Sequence, residues 1–168
     1  MNGLWLVVMG VSGCGKSSLG AALAVGFGLP LIEGDDYHPP ANVEKMSRGI
    51  ALTDADRAGW LATLGQKLAA APQGAVLTCS ALKRSYREQL RAAVPGLRFV
   101  FMEIDRAESE RRVAARAGAG EHTFPASLVA NQFATLESPV GESGVLAVDA
   151  TEPLGVLVGQ VKAWLPAA

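Results

Sequence analysis

Apolar residues in this chain follow two alternating patterns: short continuous runs, and positions that recur every three or four residues. The first run, residues 4–9, is apolar throughout and rich in β-forming side chains, which predicts a strand buried on both faces. From Leu19 to Phe27 the apolar positions recur at helical spacing, and Gly28 followed by Pro30 ends that helix. A strand followed directly by a helix is therefore the first predicted unit.

The same two patterns continue to the end of the chain. Further strands are predicted at residues 30–33, 75–79, 97–104 and 145–148. A capping box at Thr53 and Asp56 precedes the second predicted helix. Its core stripe is predicted at Ala58, Leu61, Leu64 and Leu68. Later helices are predicted near residues 82–90, up to about residue 116, at 127–136 and at 154–164, whereas residues 34–52 show little regular pattern.

This alternation of strands and helices predicts the fold class. It indicates an α/β fold of three layers, in which helices cover both faces of a five-stranded parallel sheet. Ligands of such sheets bind at the carboxyl ends of the strands. The polar clusters of this chain follow its predicted strands, so we expect them to meet at one edge of the sheet.

Composition and charge narrow the possible partners. The chain has 168 residues, 49% hydrophobic and 18% charged, which predicts one domain spanning residues 1–168. A formal net charge of -1 provides no field for holding nucleic acid or an anionic membrane, so neither is an expected partner. The distant Cys14 and Cys79 predict no disulfide framework and no zinc site, which favours a cytoplasmic location. The N-terminus lacks the pattern of a signal peptide, and the run at 4–9 is too short to span a bilayer.

A phosphate-binding loop follows the first strand. Residues 10–17 read GVSGCGKS and match the pattern GxxxxGK[ST] completely. Glycines let several backbone N–H groups point at one phosphate, and the helix that follows adds its positive end. Lys16 is expected to reach the β- and γ-phosphates during catalysis, and the Ser17 hydroxyl to bind Mg²⁺. The predicted ATP contacts in this segment are Gly10, Ser12, Gly13, Cys14, Gly15, Lys16, Ser17 and Ser18.

This loop predicts nucleotide binding but leaves the reaction open. The chain contains no Asn-Lys-x-Asp segment of the kind that reads guanine in GTPases. Two classes remain: a compact kinase in which a second substrate accepts the γ-phosphate, and a switch that binds ATP without turnover. The kinase interpretation explains the polar clusters described next, and the switch does not.

The second strand leads into an acidic segment, EGDDYHPP at residues 33–40. Asp35 is the candidate that accepts the proton of an acceptor hydroxyl, or orients that hydroxyl, during phosphoryl transfer. The competing interpretation is a solvated turn, because Gly, Asp and Pro favour turns in any protein. No acidic residue follows the third strand, so the metal is expected to depend on Ser17, water and Asp35.

Two groups of basic residues follow the third and fourth strands. Lys83 and Arg87 are four residues apart, so they share one face near the beginning of a helix, where an anionic ligand would favour them. A solvated basic face is the competing interpretation. Arg111, Arg112 and Arg116 lie on the helix before Gly118-Ala119-Gly120, where arginines can close over ATP. Of these, Arg112 and Arg116 are spaced to act together.

Taken together, these segments resemble the gluconokinase family of small P-loop sugar-acid kinases. The resemblance covers nearly the whole chain, and its most specific parts are GDDYHP at 34–39 and CSALK at 79–83. The other matching segments are MGVSGCGKS at 9–17, Asn42, KM at 45–46, Gly49, LTD at 52–54, DR at 56–57, WL at 60–61, YR at 86–87, QF at 132–133 and LESP at 136–139.

The resemblance implies a P-loop kinase fold with a small lid at roughly residues 112–130, and commonly a homodimer. It implies transfer of phosphate from ATP, with Mg²⁺, to the primary hydroxyl of D-gluconate, giving 6-phospho-D-gluconate. Asp35 and Arg116 are then the catalytic candidates beside Lys16. The candidates for binding gluconate are Asp35, His38, Arg57, Lys83 and Arg87. The alternatives are a kinase of another small hydroxy acid, such as shikimate, and the ATP-binding switch.

Overall fold

A five-stranded parallel sheet forms the centre of the computed structural model, which describes residues 3–118 and 127–165. The strands are β1 (Leu4–Met9), β2 (Leu31–Glu33), β3 (Gly74–Thr78), β4 (Arg98–Glu103) and β5 (Val145–Asp149). Their order in the sheet is β2-β3-β1-β4-β5, and all four neighbouring pairs are parallel. The predicted strands and the predicted fold class are confirmed.

Seven α-helices connect or follow the strands within the described residues. They are α1 (Lys16–Phe27), α2 (Pro40–Ser47), α3 (Asp54–Ala69), α4 (Arg84–Ala93), α5 (Arg106–Gly118), α6 (Ser127–Thr135) and α7 (Leu154–Trp164). Residues 34–52, whose sequence shows little regular pattern, form a 3₁₀ helix over Gly34–Tyr37 and then α2. The buried residue of α2 is the polar Asn42, so no apolar stripe marks this helix in the sequence.

Helices cover both faces of the sheet. Val7 and Met9 of β1 pack in one apolar cluster with residues of α3 and α4. Leu6 and Val8 point the other way and pack in a second cluster with residues of α1 and α7. Since successive side chains of a strand alternate between faces, this double burial explains the uninterrupted apolar run of the first strand.

Helix α3 begins as predicted but presents a different stripe. Thr53 and Asp56 form the expected capping box. Leu61, Leu64 and Leu68 are buried, whereas Ala58 is exposed, so its predicted place in the core was wrong. Arg57 and Trp60 are buried in its place. The buried face is thus rotated toward two large side chains that border the candidate site.

The carboxyl ends of the strands carry the segments of interest. The loop after β1 leads into α1, and the segment after β2 is the 3₁₀ helix with Asp35. The predicted lid at 112–130 includes residues 119–126, which lie outside the described residues. Within the described ranges, no helix has the length and apolar character needed to cross a membrane.

Candidate active site

The phosphate loop has the backbone shape that its glycines predict. Gly13 and Gly15 adopt φ angles of 80° and 95°, in the region that side chains with a Cβ rarely enter. Helix α1 begins at Lys16, directly after Gly15, so its first N–H groups face the loop. Lys16 Nζ donates to the carbonyl oxygen of Val11 at 3.2 Å. This arrangement suits a phosphate group at the N-terminus of α1.

A cleft of about 770 Å³ lies beside this loop. Its lining includes the loop residues Ser12, Gly13, Gly15, Lys16, Ser17 and Ser18. The predicted contacts Gly10 and Cys14 do not line it. The Cys14 side chain is fully buried, and a Cβ added to Gly10 would lie 2.8 Å from Cys14 Sγ. Gly10 thus packs against the buried Cys14 side chain, and the predicted ATP contacts of these two residues stay a prediction.

Three arginines of α5 also line the cleft, with different surroundings. Arg112 donates to the carbonyl oxygens of Gly13 at 3.1 Å and Ala150 at 3.2 Å. Both Arg111 and Arg112 donate to the Glu108 carboxylate, and these hydrogen bonds lower the pKa of Glu108 to about 2. Arg116 donates to no side chain or carbonyl within the described residues. Arg112 therefore braces the loop, and Arg116 lines the same cleft without a role in the loop.

A carboxylate that the sequence did not single out lies beside Ser17. Ser17 Oγ and Thr78 Oγ1 donate to Glu33 Oε2, at 3.0 and 2.9 Å. Sheet register explains this contact, since Glu33 at the end of β2 pairs with Thr78 at the end of β3. The third strand is followed by no acid, but its neighbour β2 places the carboxylate of Glu33 beside Ser17.

A second, smaller cavity, of about 220 Å³, adjoins the cleft beside the phosphate loop, which is called the nucleotide cleft below. Ser12, Lys16 and Asp35 line both cavities. The other lining residues include His38, Arg57, Trp60, Leu128, Asn131 and Gln132. Because the second cavity opens on the lysine of the phosphate loop, a molecule bound there would meet the terminal phosphate of a nucleotide in the first.

Asp35 is held at the junction by its neighbours. A Cβ added to Gly34 would lie 2.2 Å from the carbonyl oxygen of Thr78, so only glycine allows this approach to β3. Trp60 Nε1 donates to the carbonyl oxygen of Gly34 at 2.7 Å. The Asp35 side chain is 77% exposed, so its carboxylate is accessible to ligands in both cavities.

His38 lies on the wall of the smaller cavity in a fixed orientation. Its ring stacks on Trp60, with centroids 4.1 Å apart. Asn42 Nδ2 donates to the carbonyl oxygen of Asp56 at 2.9 Å and lies 3.2 Å from His38 Nδ1. Burial lowers the pKa of His38, Arg57 lowers it further, and Asp35 opposes them without reversing the shift. A neutral imidazole is therefore favoured.

Helix α2, which carries Asn42, is tied to the beginning of α3. Lys45 Nζ donates to Asp56 Oδ2 at 2.8 Å, and the same oxygen accepts from the backbone N–H of Thr53 at 2.9 Å. These hydrogen bonds, with that of Lys45 the larger effect, lower the pKa of Asp56 to about 2. The cap of α3 thus also anchors the helix that forms the outer wall of the smaller cavity.

Arg57 adds a second positive charge, beside Lys16, to the wall of the smaller cavity. Its side chain is largely buried, and Nη1 donates to the Tyr86 hydroxyl at 3.0 Å. Tyr86 in turn donates to Asp54, which also accepts from Lys83 Nζ at 2.9 Å. Lys83 does not line the cavity within the described residues, so it contacts Arg57 only through this chain of hydrogen bonds.

The structure places Arg87 away from both cavities. Its side chain is fully buried and forms an ion pair with Glu142 at 2.7 Å. It also donates to the backbone carbonyl oxygens of Ala81, Leu82 and Glu137. All five guanidinium N–H groups have acceptors in these contacts. Arg87 lines neither cavity, so these contacts do not support its predicted role in substrate binding; they join α4 to the segment after α6.

A phosphate loop whose cleft joins a small, positively charged cavity defines the class of P-loop small-molecule kinases. A family model described as an AAA domain matches residues 5–139. The gluconokinase of Gluconobacter oxydans (strain 621H) is 52% identical over 147 residues, covering 86% of this chain and 81% of that protein. The thermoresistant gluconokinase of Escherichia coli (strain K12) is 38% identical and covers 93% and 90%.

Solved structures agree with these relatives. The crystal structure of a gluconokinase from Sinorhizobium meliloti 1021 has a TM-score of 0.87 and 48% identity, covering 96% of this chain and 91% of that chain. An unliganded sugar kinase from Janibacter sp. HTCC2649 has a TM-score of 0.89 and 37% identity, covering 96% and 94%. The chain belongs to the AAA-domain family and to the gluconokinase family.

Proposed function

We propose that this chain is a gluconokinase, which transfers the γ-phosphate of ATP to the primary hydroxyl of D-gluconate and forms 6-phospho-D-gluconate. The observation that carries the proposal is that Ser12, Lys16 and Asp35 line both cavities. An acceptor hydroxyl and a terminal phosphate would meet at these three residues. The gluconokinase relatives support D-gluconate as that acceptor.

The residues of the smaller cavity match the chemistry of this acceptor. Gluconate carries a carboxylate at one end and a primary hydroxyl at the other. Arg57 supplies a buried positive charge for the carboxylate, and His38 supplies a neutral ring for the polyol. Asp35, at the junction of the cavities, is the proposed acceptor of the hydroxyl proton. Lys83 is a candidate for the outer part of this site, since it connects to Arg57 through Tyr86.

Transfer itself requires neutralisation of charge on the γ-phosphate. Lys16 and Arg116 both line the nucleotide cleft, and we propose that they contact the phosphates there. Arg112 orders the carbonyl groups of the loop and contributes a positive potential from behind it. These cations would stabilise the negative charge on the phosphoryl group during in-line transfer.

Oxygen donors at the end of β2 and the beginning of α1 fit a magnesium ion. Mg²⁺ prefers oxygen ligands and commonly binds through one or two protein groups and the phosphates of the substrate. Ser17 and Glu33 provide a hydroxyl and a carboxylate in contact with each other. No cluster of three acidic, histidine or cysteine ligands exists among the described residues. When bound, the metal would screen the charge of the phosphates.

The activity is tested with a panel of acceptors in a coupled assay of ADP release. We expect release with D-gluconate to exceed by far the release with shikimate, with nucleoside monophosphates or without acceptor. A preference for another hydroxy acid would change the proposed acceptor but leave the proposed kinase activity intact. Equal ADP release without any acceptor would contradict phosphoryl transfer, and ATP binding without turnover would identify a switch.

The proposal also covers domain organisation, oligomeric state and location. We propose one domain over residues 1–168, with a lid at roughly 112–130, and a homodimer in a cytoplasmic location. The dimer follows from the resemblance to the family. Light scattering after gel filtration measures the mass in solution directly, and a monomeric mass at working concentration would remove the dimer.

A further inference from the structure

The backbone of Ser12, in the phosphate loop, is held on both sides by side chains of α5 and α6. Its N–H donates to Gln132 Oε1 at 2.7 Å. Its carbonyl oxygen accepts from the Ser109 hydroxyl at 2.6 Å, and Ser109 is fully buried. Because Ser12 lines both cavities, its backbone lies where the two substrates would meet.

The contact with Ser12 fixes the orientation of the Gln132 amide. A backbone N–H can only donate, so the atom that faces it must be the amide oxygen. The amide nitrogen, which carries two hydrogens, then points to the other side. It has no acceptor within the described residues, and the described part of the chain contains no buried side-chain nitrogen or oxygen without a partner. Gln132 lines the smaller cavity, so this nitrogen can donate to a molecule bound there.

We propose that Gln132 binds the acceptor substrate: Nε2 donates to a hydroxyl or carboxylate oxygen of the sugar acid, while Oε1 holds the Ser12 N–H. This inference rests on the proposed function and adds a specificity residue to the same site. Both ends of one rigid, planar amide would then be used, one on the acceptor and one on the phosphate loop. Gln132 would align the acceptor with the loop that holds the γ-phosphate.

Two substitutions separate this role from simple support of the loop. Gln132→Glu keeps an oxygen that accepts from Ser12 but replaces the donor with a charged oxygen. Gln132→Met has similar length and removes both hydrogen bonds. We expect the KM for D-gluconate to rise at least ~10-fold in both variants, and more in Gln132→Glu, because its carboxylate repels the acceptor carboxylate. The KM for ATP is expected to change much less.

The matched control is Gln89→Glu, which makes the same charge change on the exposed surface of α4, where Gln89 donates to Ala58. Calorimetric titration of D-gluconate, with a non-hydrolysable ATP analogue present, measures the acceptor affinity independently of turnover. A Gln132→Glu enzyme with normal gluconate affinity would assign Gln132 to loop support alone and overturn the proposal. Weaker ATP binding in Gln132→Met with normal gluconate affinity would also overturn it.

Assay of the unmodified chain distinguishes failure of the proposed function from failure of the proposed role of Gln132. If it does not phosphorylate D-gluconate, the proposed function fails. If it does, and the Gln132 variants bind gluconate normally, only the role of Gln132 fails.

Discussion

Asn42 fixes the tautomer of His38. One Asn42 Nδ2 hydrogen goes to the carbonyl oxygen of Asp56, at 2.9 Å, and the other is directed at His38 Nδ1, at 3.2 Å. A backbone carbonyl can only accept, so the amide nitrogen must face both groups. His38 Nδ1 is consequently the acceptor, and the ring proton lies on Nε2, 3.8 Å from Asp35 Oδ1. Asn42, a buried polar residue of α2, thereby makes His38 Nε2 an N–H donor on the wall of the smaller cavity.

The first prediction concerns this tautomer. In the unmodified protein, ¹⁵N spectra of the imidazole are expected to show an unprotonated Nδ1 and a protonated Nε2 at neutral pH. In Asn42→Asp, the carboxylate is expected to draw a proton to Nδ1 and to raise the pKa of His38. The chain has two histidines, so a His38→Gln spectrum identifies the relevant signals. A protonated Nδ1 in the unmodified protein would contradict the assignment.

The same histidine predicts a pH dependence of stability. Its pKa is lowered from 6.5 in the fold, so below pH 6.5 the unfolded chain binds more protons at this site than the folded chain does. Stability from this residue is therefore present above pH 6.5 and is lost as the pH falls through the folded pKa. Urea unfolding between pH 7 and 5 measures the slope, and we expect a shallower slope in His38→Gln.

The second prediction concerns Asp35. Asp35→Asn keeps the shape of the side chain but removes its basicity, so kcat is expected to fall at least ~10²-fold. Binding of a fluorescent ATP analogue should persist, because the phosphate loop is unchanged. Asp36→Asn makes the same change one residue along, and its kcat loss should be much smaller. Near-normal turnover in Asp35→Asn would exclude this carboxylate as the base.

The third prediction concerns the proposed metal site. Glu33→Gln preserves size but removes the charge next to Ser17, so Mg²⁺ is expected to bind the nucleotide complex ~10-fold more weakly. The measurement is the Mg²⁺ dependence of binding of a fluorescent ATP analogue, followed without acceptor. Binding in the absence of metal should not weaken. An unchanged Mg²⁺ dependence would show that Glu33 only orients Ser17 and Thr78.

The fourth prediction concerns Arg87. Arg87→Met leaves the Glu142 carboxylate, whose side chain is 10% exposed, without its main partner. Breaking a buried pair on one side destabilises a protein by about 3–5 kcal/mol, whereas Arg91 at 3.0 Å from Glu142 retains part of the interaction. Urea unfolding measures the loss. Lys83→Met removes a more exposed pair with Asp54 and should change stability only slightly.

The same variant tests the role of Arg87 at the site. Under conditions where Arg87→Met is folded, its KM for D-gluconate is expected to remain near that of the unmodified chain. The double variant Arg87→Met with Glu142→Leu should recover part of the lost stability, because no charge is then buried unpaired. A raised KM with normal stability would return Arg87 to the substrate site.

The sequence predicted most reliably what depends on local pattern. The phosphate loop is one continuous segment, so its glycines, Lys16 and the beginning of α1 could be located before any tertiary contact was known. The rule that ligands bind at the carboxyl ends of parallel strands correctly placed Asp35 and His38 next to Lys16. The fold class followed from the alternation of strands and helices.

What the sequence missed depends on pairing between distant segments. Helix α2 has no apolar stripe, because its buried contact is made by the amide of Asn42. Glu33 reaches Ser17 only because β2 lies beside β3 in register. Charge pattern alone gave Lys83 and Arg87 the same role, although one is partly exposed and the other is buried against Glu142.

The sequence by itself therefore determined the fold class, the nucleotide loop and the acidic segment beside it, since each is encoded in neighbouring residues. Only the tertiary structure decided which side chains face the acceptor. Burial and hydrogen-bond partners separate a cavity-lining residue such as Arg57 from a residue such as Arg87 that is buried away from both cavities, and both are set by segments more than 20 residues away in the chain.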